Sequence, residues 1–83
     1  MEFIEEKNRI YVMENGKRVA EIIFEKKDEN TYTITHTFVD EALRGQGVGA
    51  KLVSKAVNKI KKEGYNVEAT CSYAKMWLEK HGK

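Results

Sequence analysis

Three glycines stand at every second position in the segment Arg44-Gly45-Gln46-Gly47-Val48-Gly49. The segment lies between a strand-like run, Thr31 to Val39, and a long amphipathic helix pattern, Val48 to Lys62. The first amides of a helix have no internal hydrogen-bond partner and lie at the positive end of the helix dipole. Because glycines let a phosphate approach these amides closely, the segment predicts an anion-binding site where the helix begins.

The spacing of these glycines excludes two common phosphate loops. The P-loop requires Gly-x-x-x-x-Gly-Lys-Ser/Thr, but the sixth and eighth positions counted from Gly45 are Ala50 and Leu52. The dinucleotide fingerprint Gly-x-Gly-x-x-Gly fails because the third glycine comes one residue early. A third pattern, Gln/Arg-x-x-Gly-x-Gly/Ala, fits as Arg44, Gly47 and Gly49.

Three predicted strands precede this loop. Arg9 to Glu14 and Val19 to Phe24 are β-prone runs joined around Asn15-Gly16, a strong hairpin signal because both residues accept positive φ. A charged loop, Glu25 to Asn30, leads into the third strand, Thr31 to Val39, which alternates strictly. Alternation places the four threonines of this strand on one face of the sheet. The opposite face then carries Tyr32, Ile34, His36 and Phe38.

Two helices and one strand are predicted after the loop. Apolar residues recur at helical spacing from Val48 to Ile60, Gly64 ends this helix, and Asn66 to Thr70 forms a short strand. Ser72 is expected to cap a final helix that runs to about Lys80 and ends at Gly82, and that packs on the sheet through Met76 and Trp77. The order β-β-β-α-β-α predicts an α+β (α/β-like) fold, with a mixed sheet packed by two helices and a ligand cleft between the third and fourth strands.

Composition narrows the functional classes. The 83 residues predict one domain spanning residues 1–83, and the net charge of +2 gives no general reason to expect nucleic-acid or membrane binding. No apolar run approaches the ~20 residues that span a bilayer, and the N-terminus does not read as a signal peptide. The single cysteine excludes an internal disulfide and offers no metal pair. We expect a cytoplasmic monomer without a bound metal.

The glycine loop and its flanking elements resemble the acyl-coenzyme A pyrophosphate loop of the GNAT N-acetyltransferase superfamily. Further motifs resemble a short GNAT-like subfamily that has cysteine and glycine motifs and lacks the N-terminal helices and last strands of longer members. These motifs are His36-Thr37-x-Val39, Arg44-Gly45-x-Gly47 and Cys71-Ser72-Tyr73. Two departures stand out, since Ala69 replaces an expected proline and Leu78 replaces the tyrosine that often serves as the acid in GNAT enzymes.

The resemblance implies a minimal GNAT fold that binds acetyl-CoA and transfers the acetyl group to an amine of unknown identity. It implies that the backbone at Phe38 and Val39 pairs with the pantetheine arm. Tyr73 and Lys75, which follow Cys71 at the start of the last helix, could contact the pantetheine or a phosphate. A stripe of lysines on the predicted Val48 to Lys62 helix could reach the 3′-phosphate or simply face solvent; its members are Lys51, Lys55, Lys59 and Lys62. The coenzyme-binding residues are expected to be Phe38, Val39, Arg44, Gly45, Gln46, Gly47, Val48, Gly49, Ala50, Tyr73 and Lys75.

Two residues could take part in catalysis. Cys71 can protonate a departing thiolate, or as a thiolate accept the acetyl group, and its place before a helix should lower its pKa. A small buried cysteine between sheet and helix is the structural alternative. His36 could act as general base, since the unperturbed pKa of histidine is about 6.5, or it could be a hydrogen-bonded core or edge residue.

Two other functions stay open at this point. A module that holds acyl-CoA without turnover fits the short chain and the missing tyrosine. A small nucleic-acid-binding domain could use the lysine stripe, although no interleaved aromatic and basic surface accompanies it.

Overall fold

The structure is a computed structural model, and it describes residues 1–81. Its elements in chain order are β1 (Glu2–Glu5), β2 (Arg9–Glu14), β3 (Lys17–Asp28), β4 (Thr31–Val39), a 3₁₀ turn (Glu41–Leu43), α1 (Val48–Lys62), β5 (Asn66–Ala69) and α2 (Ser72–His81). The strands form one sheet in chain order, antiparallel from β1 to β4 and parallel between β4 and β5. The fold is therefore α+β with a mixed sheet, as the sequence predicted.

Strands β2 and β4 and helix α1 have the predicted bounds, and Asn15 and Gly16 both adopt positive φ at the predicted hairpin. Two predictions fail in the remaining strands. Strand β1 adds an edge strand that four residues were too few to signal, and its Phe3 packs against the core. The predicted loop at Glu25–Asn30 is wrong, because β3 continues to Asp28 through residues whose charged side chains are exposed.

Helix α1 lies on the sheet and forms most of the core with it. Its buried residues recur every three or four positions, which is the spacing of one helix face. They are Val48, Gly49, Leu52, Val53, Ala56, Val57 and Ile60. Gly64 follows the helix with a φ of 93°, the left-handed conformation that favours glycine at a helix end. Neither helix described for residues 1–81 is long and apolar enough to cross a membrane.

Strand β4 contains a β-bulge at Thr35, and this bulge breaks the predicted alternation. His36 pairs with Ile23 and Ile34 pairs with Phe24, so Thr35 has no partner of its own on β3. The extra residue reverses the facing of everything that follows it. Tyr32 and Ile34 are buried as expected, but the prediction that His36 and Phe38 share their face is wrong: both are exposed, and Phe38 is 43% accessible.

The side chains that replace them on the inner face are those of Thr37 and Val39, both of which are half-buried. Strand β4 also outruns its parallel neighbour. Pairing with β5 covers Thr31 to Ile34 only, so from Thr35 to Val39 strand β4 is paired with β3 on one edge and has no strand on the other. The two strands therefore separate where the sequence predicted a cleft.

Helix α2 is attached to the core mainly through Ala74, which is fully buried. Trp77 and Leu78 are half-buried and pack against the same cluster. The prediction that Met76 packs on the sheet is wrong, because its side chain is 58% exposed. The predicted helix end at Gly82 lies outside the described residues.

The burial difference between Leu52 and Met76 makes a matched pair for stability measurements. We expect Leu52→Ala to lower the free energy of unfolding by about 3 kcal/mol, because it opens a cavity under α1. Met76→Ala should change it by no more than about 0.5 kcal/mol, as for other exposed positions. Urea denaturation of both variants checks the burial, and equal losses would contradict it.

Candidate functional site

A cleft of about 440 Å³ opens where β4 separates from β5. Its walls come from the end of β4, the loop before α1, the first turn of α1 and the start of α2. The residues that line it are Thr37, Val39, Leu43, Arg44, Gly45, Gly47, Val48, Gly49 and Tyr73. Most of the glycine loop is therefore part of the cleft wall.

The first turn of α1 offers unpaired backbone donors in this wall. Gly47 occupies the N-cap position with a φ of 76°, and no side chain among the described residues caps the helix there. The first intrahelical bond runs from the Lys51 N–H to the Gly47 carbonyl at 3.0 Å. The N–H groups of Val48, Gly49 and Ala50 therefore have no acceptor within the helix. The first turn carries no acidic residue, so its positive dipole end is not neutralised locally.

Glycine is favoured at the three positions of the loop for two different physical reasons. Gly45 and Gly47 adopt φ values of 89° and 76°, and a Cβ built on either would meet nothing within 4 Å. Backbone conformation, and not crowding, therefore favours glycine at these two positions. A Cβ on Gly49 would lie 2.9 Å from the Tyr73 hydroxyl oxygen, so this glycine makes room for the tyrosine.

The edge of β4 that β5 leaves unpaired presents its backbone to the cleft. The Thr37 N–H points to the side of Cys71, with which it hydrogen-bonds, and the Asp40 N–H points the other way, to the Val19 carbonyl at 2.7 Å. Because successive residues of a strand direct their N–H and C=O groups to alternate edges, Val39 faces the same edge as Thr37. The backbone of Phe38 instead faces β3.

Cys71 lies behind this wall and caps α2. The Lys75 N–H donates to the Cys71 carbonyl at 2.9 Å, so Cys71 is the N-cap residue and the prediction that Ser72 caps this helix is wrong. The thiol donates to Thr37 Oγ1 at 3.4 Å. Thr37 also lines the cleft, so this hydrogen bond connects the sulfur to the cleft wall.

The environment of Cys71 lowers the pKa of its thiol. Burial by itself raises the pKa, but hydrogen bonds that stabilise the thiolate outweigh this effect. The donors are the Thr37 side chain and the backbone N–H groups of Ala74, Tyr73 and Thr37. Two of these N–H groups belong to the first turn of α2, which is the arrangement expected of an N-cap acceptor.

The remaining predicted residues do not line the cleft. Gln46 and Lys75 are exposed, while Ala50 contributes a backbone N–H to the helix start. Phe38 and His36 point to the exposed face of the sheet because of the bulge. A base at His36 would therefore act on a group that approaches from that face.

Two cleft residues were not predicted. Leu43 is buried in the 3₁₀ turn before the loop, and no pattern in the sequence marks it. Thr37 stands in the quoted His36-Thr37-x-Val39 motif, but strict alternation grouped it with the other threonines and away from Phe38. Its position depends on the bulge, which single-sequence periodicity does not reveal.

Comparisons with known proteins agree with this geometry. A family model described as GCN5-related N-acetyl-transferase matches residues 9–83. No curated protein matches the chain. The solution structure of a GCN5-like protein from Staphylococcus aureus is 36% identical, with a TM-score of 0.78, and the match covers 95% of this chain and 78% of that one.

More distant structures share the fold. The ribosomal-protein-S18-alanine N-acetyltransferase of Escherichia coli is 20% identical with a TM-score of 0.72, over 96% of this chain and 52% of that one. A GNAT family acetyltransferase from Elizabethkingia anophelis, solved with acetyl-CoA bound, is 20% identical with a TM-score of 0.70, over 87% of this chain and 50% of that one. The chain thus spans about half the length of these two proteins. Fold, loop and family match together place the chain in the GCN5-related N-acetyltransferase (GNAT) family.

Proposed function

We propose that this chain binds acetyl-CoA in the cleft and transfers the acetyl group to an amine. One observation carries the proposal: the unpaired N–H groups that begin α1 open into the same cleft as the unpaired edge of β4. A long ligand with an anionic part and an amide-containing part would use both features.

The start of α1 fits the diphosphate of coenzyme A. The N–H groups of Val48, Gly49 and Ala50 would hold phosphate oxygens at the positive end of the helix dipole. Arg44 lines the cleft, is exposed, and forms no ion pair with any of residues 1–81, so its guanidinium is available to an anion. The open space at Gly45 and Gly47 leaves room for such a group.

The edge of β4 fits the pantetheine arm, which carries amide groups of its own. The Val39 N–H and C=O groups would hydrogen-bond to the amides of the arm. The arm would then lie beside β4 where a longer β5 strand would otherwise pair. Phe38 is proposed to contribute only through the peptide bond that joins it to Val39, because its side chain lies on the exposed face of the sheet. The arm would then run toward Thr37 and the Cys71 thiol.

Acetyl-CoA would supply an activated acetyl group as a thioester. The lowered pKa of Cys71 favours the thiolate, which is the form that accepts an acyl group, over the thiol, which donates a proton. Acetyl transfer to Cys71 Sγ would form a new thioester while the acetyl–sulfur bond of acetyl-CoA breaks and CoA leaves as its thiolate, so the step needs no oxidant. Attack by an amine on that acetyl group would form the amide and release the Cys71 thiolate again. Leu78 leaves no tyrosine at the position of the usual acid.

The acceptor amine is expected to approach from the exposed sheet face. Pantetheine in the cleft would occupy the inner side, and His36 stands on the outer side, where it could take the proton of an incoming ammonium group. No observation on residues 1–81 favours a nucleic-acid-binding function over this one. A module that holds acyl-CoA without turnover is the alternative that the experiments below separate.

Gly47 and Gly16 form a matched pair for testing the binding site. Both have a φ near 77° and open space around a Cβ, but Gly16 lies in the β2–β3 hairpin away from the cleft. Alanine at either position should lower stability by about 1 kcal/mol, because left-handed backbone disfavours a side chain. We expect only Gly47→Ala to weaken CoA binding, by about tenfold or more, equivalent to at least ~1.4 kcal/mol. Isothermal titration with CoA measures this, and equal affinities for the two variants would contradict the placement of the diphosphate.

The ionisation of Cys71 makes a second test. We expect its alkylation by iodoacetamide to show a midpoint below ~8.5, the ordinary pKa of a cysteine thiol. Thr37→Val should raise this midpoint, because it removes a hydroxyl that stabilises the thiolate, whereas Thr35→Val should not. Because the folded-state pKa is lowered, ionisation stabilises the fold above the thiol's ordinary pKa, and this gain is lost as pH falls through the lowered pKa. Cys71→Ser should lack that pH dependence of unfolding free energy; a midpoint at or above ~8.5 in the parent protein would count against a stabilised thiolate.

Acetyl transfer itself can be followed by mass spectrometry. Incubation with acetyl-CoA and a panel of primary amines, peptides and polyamines should give an acetylated amine, and quenching at low pH should trap acetyl on Cys71. Cys71→Ser should keep its affinity for CoA and lose turnover by about a hundredfold, the scale typical of losing one participating group. Tight CoA binding with no product from any amine would identify a binding-only module. Full turnover by Cys71→Ser would remove the cysteine from the reaction.

A further inference from the structure

The side of the sheet that faces away from both helices is not covered by any element of residues 1–81. The buried residues of α1 and Ala74 of α2 belong to one core cluster, so both helices lie on the same side of the sheet. Residues that pair directly across neighbouring strands point to the same face, so the register identifies the residues of the uncovered side, called the exposed sheet face here. Its central rows are formed by Ile4, Arg9, Tyr11, Glu21, Ile23, His36 and Phe38.

The composition of the exposed sheet face is that of a protein–protein interface. Tyrosine, phenylalanine and arginine are enriched in such interfaces, whereas lysine is depleted. This face carries Tyr11, Phe38 and two of the three arginines of the chain. The guanidinium carbons of Arg9 and Arg18 each lie 4.8 Å from the centroid of the Tyr11 ring. Because this stacking already holds the three side chains in place, a partner that covers them immobilises little additional side-chain freedom.

The shape of the exposed sheet face favours a polypeptide over a small amine. Small molecules bind in concave sites that bury most of their surface. Of the seven residues that form the central rows, none lines the cleft or three other cavities in residues 1–81. A small amine at His36 would therefore contact a flat surface, whereas a polypeptide can contact several rows at once.

The size of the face suits a partner that binds and then dissociates. Five strands about 4.8 Å apart, with about six residues each at roughly 3.3 Å per residue, give a projected area of about 480 Å². A standard stable complex buries about 800 Å² on each partner, so the face is small for a permanent dimer of this chain. Weak, transient encounters use smaller interfaces, as a substrate that leaves after each turnover requires.

The distribution of charge favours an acceptor ammonium group on this side of the molecule. Helix α1 carries five lysines and no acidic residue, so the helix side repels a cation. On the exposed sheet face both arginines are paired with glutamates, at 2.7 and 3.1 Å. The row beyond His36 places Glu25 and Glu68 on either side of Thr33. Glu68 is paired with Lys27, and Glu25 forms no ion pair with any of residues 1–81.

We infer that the exposed sheet face binds the acetyl acceptor as a polypeptide, with its amine at His36 and a large apolar side chain on Tyr11 and Ile23. This inference rests on the proposed function and specifies its substrate class. Tyr11 and His36 lie two strands and one row apart, which is about 12 Å, and an extended peptide spans this distance in three or four residues at about 3.3 Å each. The preferred acceptor therefore has a large apolar residue about three positions from its amine.

Matched peptides test the substrate class. The first contains one lysine, a phenylalanine three residues away and two blocked ends, and the second has serine in place of the phenylalanine. A third has a free N-terminus and no lysine, and it distinguishes the two sources of a polypeptide amine. We expect kcat/KM for the better phenylalanine peptide to exceed that for the serine peptide and for n-butylamine by about tenfold, the scale of one aromatic anchor. Equal values for n-butylamine and the peptides would overturn the inference.

A substitution on the face tests where the apolar side chain binds. Tyr11→Thr removes the ring and keeps a β-prone residue. We expect it to raise KM for the phenylalanine peptide about fivefold to tenfold and to leave kcat/KM for n-butylamine unchanged. Met76→Ala is the matched control, because it shortens an exposed apolar side chain on α2, and it should change neither value. A phenylalanine preference that survives in Tyr11→Thr would contradict this placement.

NMR spectra separate the inference from the proposed function without relying on a variant. CoA alone should shift the amide resonances of Gly45 to Ala50, as the proposed function requires. The phenylalanine peptide added to the CoA complex should shift those of Ile4, Tyr11 and Ile23. If CoA binds and the peptide leaves these three resonances unchanged, the inference is wrong and the proposed function stands. If CoA does not bind, the proposed function fails and the inference fails with it.

Discussion

The carbonyl of Ile34 is the point at which the sheet stops being continuous. It accepts hydrogen bonds from the N–H groups of both Thr70 and Cys71, at 3.0 and 3.3 Å, and it is the last residue of β4 that pairs with β5. After Ile34, strand β4 continues to Val39 without a parallel neighbour. After Ala69, the chain leaves the sheet and enters α2. The cleft, the free strand edge and the position of Cys71 all follow from this one shared acceptor. A β5 strand that went on pairing with Thr35 to Val39 would close this gap.

The bulge at Thr35 comes directly after that carbonyl and decides which side chains meet the cleft. Without the extra residue, His36 and Phe38 would continue the buried face set by Tyr32 and Ile34. With it, Thr37 and Val39 turn inward and the two larger side chains turn out. The inner side chains are small enough to leave space, and Thr37 carries the hydroxyl that contacts the Cys71 thiol. Sheet separation and side-chain exchange therefore occur within the same few residues.

Much of this architecture could be predicted from the sequence because it depends on local patterns. The bounds of α1 follow from its apolar spacing, and the hairpin at Asn15-Gly16 follows from turn chemistry. The glycine loop could be placed in the site because spacing and flanking elements agreed. The bulge at Thr35 could not be predicted from the sequence, because it inserts one residue between two stretches that each alternate regularly. The cap of α2 could not be predicted from residue type alone. Serine is a commoner capping residue than cysteine, but the hydrogen bond from the Lys75 N–H to the Cys71 carbonyl shows that the cap is one residue earlier, at Cys71.

The contact between Gly49 and Tyr73 has a meaning for how such chains can change over time. Glycine at this position makes room for a side chain on another helix, and its own backbone does not favour glycine, because its φ is not in the left-handed region. The neighbour that an added methyl group would meet is the outer end of a half-exposed tyrosine, which can rotate away. Alanine at position 49 would therefore be tolerated by the fold and would redirect the ring. Positions 49 and 73 are therefore predicted to vary together among relatives. Where position 49 is alanine, we expect position 73 to carry a smaller side chain or one that points elsewhere, so the residue at position 49 depends on the residue in α2.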